Sequence, residues 1–246
     1  MHADNFLIFK FQEIQKQCNI LFLCQKLITN HYLLASAIQN ASITLTVQGI
    51  TFESFGIIGA QAHSSVHAEV INLRASVRIL TNSDKSLYIG SIFGVLQAEN
   101  GLVQNSRIIG ANISSGSYFG GFMGAISNNL TILNSSVSQT SILGNTAGGL
   151  ISQMKSGSAA IHNSTICNTN ISGIIAGGFI GQCSSNLFIK DSKIQFTRIF
   201  GDVNAGIIIG DNYGTYSFVN SSSISNFVNN VLQNDCSSQD QFIDGC

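Results

Sequence analysis

The residues best suited to metal binding are His63, His67 and Glu69, in the segment QAHSSVHAEV. Histidine nitrogens and carboxylate oxygens are ordinary zinc ligands. If the segment is a strand, the three side chains span about 20 Å, because a strand rises about 3.3 Å per residue. One ion cannot bridge that distance, so we expect no metal site and no cofactor.

Catalytic groups are equally sparse. The second half of the chain, up to its polar tail, contains three acidic residues: Asp191, Asp202 and Asp211. Glycoside hydrolysis needs a pair of carboxylates, so a polysaccharide-cleaving enzyme would depend on Asp202 and Asp211, with Lys190 or Arg198 as a partner. No serine lies in a GxSxG setting, and no Gly-rich segment has the pattern of a phosphate-binding loop. We therefore expect no catalytic residues and no enzyme activity.

The composition of the 246 residues excludes other classes. Charged residues make up 9% of the chain, against about 25% in an average soluble protein. With 11 Lys and Arg and a net charge of −1, the chain has no basic stripe, so we expect no nucleic-acid partner. A hydrophobic fraction of 44% argues against disorder. The absence of proline favours a continuous hydrogen-bonded ladder, although AT-rich codon usage would have the same effect.

The cysteines and the chain start give little sign of targeting. Six cysteines, at 18, 24, 167, 183, 236 and 246, lack the spacing of a zinc ribbon or a redox motif. We interpret them as small apolar fillers and part of a frayed tail, the alternative being a truncated Cys-rich module at the C-terminus. The start does not resemble a signal peptide, and no apolar run is long enough to predict a transmembrane segment. The location is left open between an intracellular protein and a piece of an exported one.

A Gly-rich motif recurs along the chain at intervals of about 28–30 residues, the mark of a repeat architecture. The segments GSIFG, GGFMG, GGLIS, GGFIG and AGIIIG end at Gly94, Gly124, Ser152, Gly181 and Gly210. We predict that the repeat glycines allow a bend with positive φ or a close approach of neighbouring coils without a Cβ. These glycines are Gly94, Gly121, Gly124, Gly149, Gly178, Gly181, Gly206 and Gly210.

A second motif, a pair of small polar residues, recurs in phase with the first and with the same period. The pairs begin at Asn105, Asn134, Asn163, Asp191 and Ser221. Asparagine tolerates the left-handed conformation, and stacked asparagines can hydrogen-bond to one another. We therefore predict a structural corner ladder formed by the first residue of each pair.

Apolar residues occupy three columns around this corner. Two residues before it stand Val103, Ile132, Ile161, Ile189 and Val219. Three residues after it stand Ile108, Val137, Ile166, Ile194 and Ile224. Eight residues after it stand Ile113, Ile142, Ile171 and Ile199, and Asn229 breaks this column.

The spacing of these columns predicts the fold class. Strand faces alternate with period two, so positions −2 and +3 cannot both face inward along one straight strand, and the chain must bend at the corner. The β-branched residues favour strands, and no helical period is present. We predict an all-β chain, a parallel β-solenoid (β-helix) of about five to six coils with a 28–30-residue repeat.

The repeat divides the chain into three parts. We predict an N-terminal cap or non-repeat segment at 1–47, the solenoid at 48–230 and a polar, Cys-containing tail at 231–246. A cap is expected because the end of a solenoid exposes unpaired backbone groups.

The motifs GGFMG, GGLIS and GGFIG, each followed by an apolar-x-Asn-Ser pattern, resemble the GLUG repeat, which is named for its Gly-Leu-hydrophobic-Gly core. The resemblance covers about residues 88–215 and extends more weakly to about residue 50. Ser152 replaces the closing glycine of one copy, and Ala205 replaces the first glycine of another. The resemblance implies a surface-exposed or secreted repeat region of adhesin type, without catalytic residues. The Asn- and Ile-rich composition is similar to that of repeat proteins from unicellular eukaryotes.

These observations lead to one functional hypothesis and two alternatives. We expect a non-catalytic surface or secreted module that binds glycan or protein through polar solenoid faces. The alternatives are a structural spacer, or fragment of a larger repeat protein, and a polysaccharide-cleaving β-helix enzyme. No exposed aromatic recurs throughout: the nearest to an aromatic pair is Tyr88 and Tyr118, at equivalent positions before the Gly-rich motif, and the next copies carry Ala147 and Ala176. The oligomeric state is left open.

Overall fold

The computed structural model describes residues 32–33, 36–39, 42–48, 54–56, 59–62, 67–80, 87–114, 117–232 and 236–237. Within these ranges the chain forms strands and turns and no helix. The strands belong to three sheets, which the chain visits in turn as it winds. Successive coils pair in parallel, so the structure is the predicted parallel β-solenoid.

The first sheet contains seven parallel strands, one from each coil. From the third strand onward they begin at nearly equal intervals of about 29 residues, which gives about five regular turns. The strands are Tyr32–Leu33, Gly59–Ala62, Phe93–Leu96, Met123–Ile126, Ile151–Met154, Ile180–Cys183 and Ile209–Asn212.

The second sheet also contains seven parallel strands. In its regular coils the first, third and fifth residues of each strand face outward, and the second and fourth are buried. The strands are Ser36–Gln39, His67–Ile71, Asn100–Gln104, Asn129–Leu133, Ser158–His162, Asn186–Lys190 and Thr215–Val219.

The third sheet contains eighteen strands, because most coils cross it as two or three short segments. The early strands are Ser42–Gln48, Ser54–Phe55, Arg74–Leu80, Tyr88–Gly90, Arg107–Ile109, Asn112–Ser114, Tyr118–Gly120, Ser136–Ser138, Ser141–Leu143 and Thr146–Gly148. The later strands are Thr165–Cys167, Asn170–Gly177, Lys193–Gln195, Arg198–Gly206, Ser222–Ile224, Phe227–Val228, Val231–Leu232 and Cys236–Ser237.

Two columns of left-handed residues make the corners of the coil. The first corner joins the second sheet to the third and is formed by Asn72, Asn105, Asn134, Asn163, Asp191 and Asn220, with φ between 45° and 55°. The second corner bends the third sheet and is formed by Gly110, Gln139, Asn168, Phe196 and Ser225, with φ between 49° and 66°. Asparagine dominates the first corner because its short polar side chain tolerates this conformation better than most residues.

The predicted apolar columns form the core between the sheets. In the coils that begin at Asn105, Asn134, Asn163 and Asp191, the residues at −2, +3 and +8 are at most 1% exposed. Paired neighbours such as Ile132 and Ile161 lie directly above one another. Each coil therefore buries its apolar face chiefly against the next coil, as expected of a solenoid.

The last coil corrects the predicted alignment by one residue. Ile189 pairs with Phe218 and not with Val219, and Ile194 pairs with Ser223 and not with Ile224. In the third column Ile199 pairs with Val228, so the column continues and Asn229 does not interrupt it.

The physical reason for this shift lies at the first corner. Asn220 takes the left-handed position there with φ 45°, which Ser221 would adopt less readily. The shift places Ser223 in an apolar column, where it is 3% exposed. The buried Asn226 Nδ2 compensates by donating a hydrogen bond to Ser223 Oγ at 2.8 Å.

The solenoid begins before the boundary predicted at residue 47. Tyr32–Leu33, Ser36–Gln39 and Ser42–Gln48 each pair with the following coil, one pair in each sheet. Irregular spacing hides this coil in the sequence, since the step from Tyr32 to its partner Gln61 is shorter than the step from Ser36 to its partner Ala68. The rest of the predicted cap, residues 1–31, lies outside the described residues.

The segment predicted as a tail from residue 231 contributes to the third sheet. Val231–Leu232 pairs antiparallel with Phe227–Val228 through left-handed Asn229 and Asn230, the pattern of a tight hairpin turn. Cys236–Ser237 pairs antiparallel with Ser222–Ser223. These strands occupy the edge that the last coil would otherwise leave open in this sheet.

Candidate functional site

The first corner carries a ladder of exposed asparagines. Asn134 Nδ2 donates to Asn105 Oδ1 at 3.2 Å, and Asn163 Nδ2 donates to Asn134 Oδ1 at 3.0 Å. Asp191 occupies the next corner position with φ 52°. A carboxylate has no N–H to donate to Asn163, so these side-chain bonds end at Asp191.

Ser221 is not a member of this ladder, contrary to the predicted alignment. Asn220 takes the fifth corner position, for the conformational reason given above. Ser221 instead belongs to a second, buried ladder of serines directly beside the asparagines. In the sequence pattern, the other members of this serine column are visible only as the second residue of each polar pair.

The buried ladder consists of five serines that are at most 2% exposed: Ser106, Ser135, Ser164, Ser192 and Ser221. The backbone N–H of each of the first four donates to Oγ of the serine in the next coil, at 3.0–3.2 Å. Each Oγ in turn donates to the carbonyl oxygen two residues before it, at 2.7–2.9 Å. Each of these N–H groups therefore finds its acceptor in a serine hydroxyl, whereas the carbonyl oxygens also accept a backbone N–H from the preceding coil.

A similar column follows the second corner. The hydroxyls of Thr140, Thr169 and Thr197 are buried and donate to the carbonyl oxygens two residues before them, at 2.9–3.1 Å. Asn226 replaces threonine in the last coil, and its Oδ1 accepts a hydrogen bond from Thr197 N at 2.9 Å. A Ser or Thr after most of the left-handed corner residues was a signal in the sequence for both columns.

The repeat glycines at the bend between the third and first sheets lie against the backbone of the neighbouring coil. A Cβ at Gly121 would meet the carbonyl oxygen of Gly149, one at Gly149 would meet that of Gly178, and one at Gly178 would meet that of Ile207. None of these three glycines has positive φ. Close approach, rather than a left-handed backbone, is therefore what requires glycine at this bend.

Four of the remaining five repeat glycines also lie in close contact with backbone. A Cβ at Gly124 would lie 2.5 Å from the carbonyl oxygen of Gly94. Similar contacts with backbone oxygens are made by Gly181, Gly206 and Gly210.

Ser152, which replaces one closing glycine, is buried, and its Oγ donates to Thr146 O at 2.8 Å. Serine is accommodated in this copy because its hydroxyl finds a backbone acceptor.

The first residues of the second-sheet strands form an outward-facing column of exposed neutral polar side chains: Asn100, Asn129, Ser158, Asn186 and Thr215. Ser158 Oγ donates to Asn129 Oδ1 at 2.9 Å, and Thr215 Oγ1 donates to Asn186 Oδ1 at 2.7 Å. We call this column, together with the asparagine corner ladder, the polar ladder surface. Its side chains recur at the interstrand spacing of about 4.8 Å.

The aromatic pair predicted from the sequence is formed. The rings of Tyr88 and Tyr118 stack with centroids 4.7 Å apart, and Lys155 Nζ lies 2.9 Å from the Tyr88 hydroxyl. The next positions of this column are Thr146 and Ile175, not Ala147 and Ala176, which align with Phe119. The sequence alignment was therefore one residue too late in both copies, but the aromatic column stops at the same point.

The candidate catalytic residues are spread over three sheets. Asp202 and Arg198 lie on a strand of the third sheet, Asp211 on the first and Lys190 on the second. Asp211 accepts a hydrogen bond from Gln182 Nε2 at 3.5 Å. A hydrogen bond to Asp211, and then its charge, raise the pKa of the Tyr213 phenol. The structure therefore does not bring Asp202 and Asp211 together on one sheet.

The three residues considered for metal binding lie only partly within the described part of the structure. His63 lies outside the described residues. The backbones of His67 and Glu69 lie on one strand of the second sheet, and their side chains are not described. Among the side chains that are described, no three metal-ligating groups cluster.

Cys183 is buried in the core, and burial raises the pKa of its thiol. Cys167 is half-exposed on the third sheet, and desolvation likewise raises its pKa. A raised pKa disfavours the nucleophilic thiolate, as expected of cysteines that fill space. Cys18, Cys24 and Cys246 lie outside the described residues.

Comparison of the chain with protein-family models, curated proteins and solved structures gives no match. In the described part of the chain, no helix has the length and apolar character needed to span a membrane. The function is therefore inferred from the residues of the chain itself.

Proposed function

We propose that this chain is a non-catalytic repeat module of adhesin type, displayed at a cell surface or secreted, that binds glycan through its polar ladder surface. The resemblance of its repeats to the GLUG motif supports this location and role. The observation that carries the proposal is the exposed column of amides and hydroxyls on the second sheet, held in place by hydrogen bonds between coils.

The ladder favours binding for an entropic reason. Immobilising a flexible side chain on binding costs about 0.5–1.5 kcal/mol. The Asn129 carboxamide is already fixed by Ser158, and the Asn186 carboxamide by Thr215. Neutral amides and hydroxyls both donate and accept hydrogen bonds, which matches the hydroxyl groups of a glycan. Repetition along the solenoid adds many weak contacts in register.

A triple variant tests this surface. Asn129→Ala, Ser158→Ala and Asn186→Ala together remove three neighbouring members of the ladder while leaving the core and the left-handed corners intact. We expect at least tenfold weaker binding to any glycan that the unmodified chain retains on a glycan array, because the loss of each contact costs about 0.5–1.5 kcal/mol.

The chain offers a matched control on the third sheet. Asn112, Ser141 and Asn170 are exposed, lie directly above one another and have the same residue types in the same order. Their replacement by alanine should change glycan binding less than about twofold, because surface substitutions away from a site rarely exceed about 0.5 kcal/mol. Equal losses in the two triple variants, or no retained glycan, would contradict the proposal.

The alternative role is a structural spacer or fragment of a larger repeat protein. The end of the aromatic column after Tyr88 and Tyr118 favours it, since binding hot spots are enriched in aromatic residues. Antibody staining separates the two roles. Labelling of intact cells supports the surface module, whereas labelling only after permeabilisation rejects it and leaves an intracellular scaffold.

A further inference from the structure

Exposed large apolar residues are concentrated on one side of the solenoid. In the described part of the chain, the third sheet and its turns carry seven of nine: Leu143, Ile174, Phe196, Phe200, Val203, Phe227 and Val231. The other two, Phe188 and Tyr213, belong to the second sheet and to the turn after the first. An exposed apolar patch of this kind marks an interaction surface.

The apolar residues of the last two coils depart from the repeat. Phe196 occupies a corner column that holds Gln139 and Asn168 in the preceding coils. Phe200 pairs with Ser172. Because the polar residues support the same backbone in the preceding coils, the fold does not require phenylalanine at either position.

Two opposite charges lie two residues before and two residues after Phe200, the second of them at a bulge in the strand. Arg198, Phe200 and Asp202 are alternate residues of one strand, and all three are exposed. Within the described part of the chain neither charge forms an ion pair. Phe227 pairs with Arg198 in the next coil and extends the apolar surface beside it.

We propose that this surface, formed by Phe196, Arg198, Phe200, Asp202 and Phe227, binds the same surface of a second copy of the chain. When a two-fold axis passes through Phe200, the two strands lie antiparallel and the two Phe200 rings stack on each other. Arg198 of each copy then faces Asp202 of the other, because the two charges lie two residues on either side of the axis. This self-complementary order of charge, aromatic and opposite charge selects a second copy over an unrelated apolar partner.

The size of the surface sets the strength of the dimer. Residues 196 to 203 span about 23 Å along the chain, and the column from Leu143 to Phe200 adds about 10 Å across two coil spacings. This footprint is well below the roughly 800 Å² per partner of a standard stable interface, so a weak, reversible dimer is expected. The polar ladder surface lies on another sheet, so dimerisation goes beyond the proposed glycan binding.

Sedimentation velocity of the full chain across the micromolar range tests the dimer. The unmodified chain should shift reversibly from monomer to dimer as its concentration rises. Phe200→Ser, which restores the residue type of the preceding coil, should weaken the dimer at least tenfold. Phe188→Ser is the matched control, because Phe188 is an exposed phenylalanine on the second sheet. This control should leave the dimer unchanged.

A charge exchange tests the two-fold geometry. Arg198→Asp alone puts like charges opposite each other and should abolish the dimer, whereas Arg198→Asp combined with Asp202→Arg should restore it. A monomeric unmodified chain, equal effects of Phe200→Ser and Phe188→Ser, or failure of the exchange to restore the dimer would each overturn the proposal. Circular dichroism of every variant separates loss of association from loss of fold.

Discussion

Replacing Gly149 with alanine is expected to destabilise the chain by about 3–4 kcal/mol. The new Cβ would meet the carbonyl oxygen of Gly178 in the next coil and would lie 2.8 Å from Ile166 Cδ1. Overpacking that side chains can relieve costs about 1–3 kcal/mol, and a backbone obstacle cannot rotate away. Any shift also disturbs the hydrogen bond from Gly149 N to Gly178 O, at 3.0 Å.

Urea unfolding followed by circular dichroism measures this cost. Gly110→Ala is the matched control, because Gly110 has φ 66° and the nearest atom to its added Cβ is Ser76 Oγ at 3.8 Å. Left-handed strain alone should lower the free energy of unfolding of Gly110→Ala by about 1–2 kcal/mol. If Gly149→Ala were as stable as Gly110→Ala or more stable, the claim that coils stack closely at the glycine bend would be contradicted.

Replacing Ser164 with alanine is expected to lower the free energy of unfolding by about 1–3 kcal/mol, although it removes a single oxygen atom. Ser135 N loses its hydrogen-bond acceptor at 3.2 Å, whereas His162 O loses one donor at 2.8 Å and keeps the other, Asn134 N, at 3.0 Å. Ser164 is 0% exposed, so water cannot readily replace the hydroxyl. Each buried group left without a partner costs about 1–3 kcal/mol.

The half-exposed Ser136 is the control for this variant, since it directly follows Ser135 and lies on the outer side of the third sheet. Ser136→Ala should stay within about 0.5 kcal/mol of the unmodified chain. The two free energies of unfolding come from the same urea titration. Equal values for the two variants would show that the buried serine column does not support the corner.

The fold class was predictable because two motifs share one period. Apolar columns such as Ile132 and Ile161 recur in phase with a corner asparagine, and parallel stacking of coils buries every column at once. The last coil was misaligned because two criteria conflicted there. Keeping Ile224 in an apolar column favoured Ser221 at the corner, whereas the left-handed backbone favoured Asn220. The backbone preference decides, because Asn226 satisfies the buried Ser223 hydroxyl.

The serine ladder illustrates what the sequence pattern could not establish. Ser164 follows a corner asparagine, and a pattern of polar residues does not distinguish an outward hydroxyl from a buried one. Only the neighbouring coil provides the Ser135 N–H that makes burial of this hydroxyl favourable. The first coil was missed for a different reason, since its unequal steps, shorter at Tyr32 than at Ser36, obscure the period.

The central claim is that one coil is an interchangeable unit of a parallel stack. Deletion of residues 134–162 removes one full coil and joins Leu133 to Asn163, which regenerates the Leu-Asn-Ser sequence of the corner. Deletion of residues 134–147 removes half a coil and is the control, because it moves every later column out of register.

Circular dichroism with urea unfolding of both deletion variants tests this claim most directly. Since each coil contacts only its neighbours, the full-coil deletion should keep a β-type spectrum and a cooperative transition with reduced stability. The half-coil deletion should lose both the β-type spectrum and the cooperative transition. If the two deletion variants unfolded alike, or if only the half-coil deletion stayed folded, the parallel stack of equivalent coils would be contradicted.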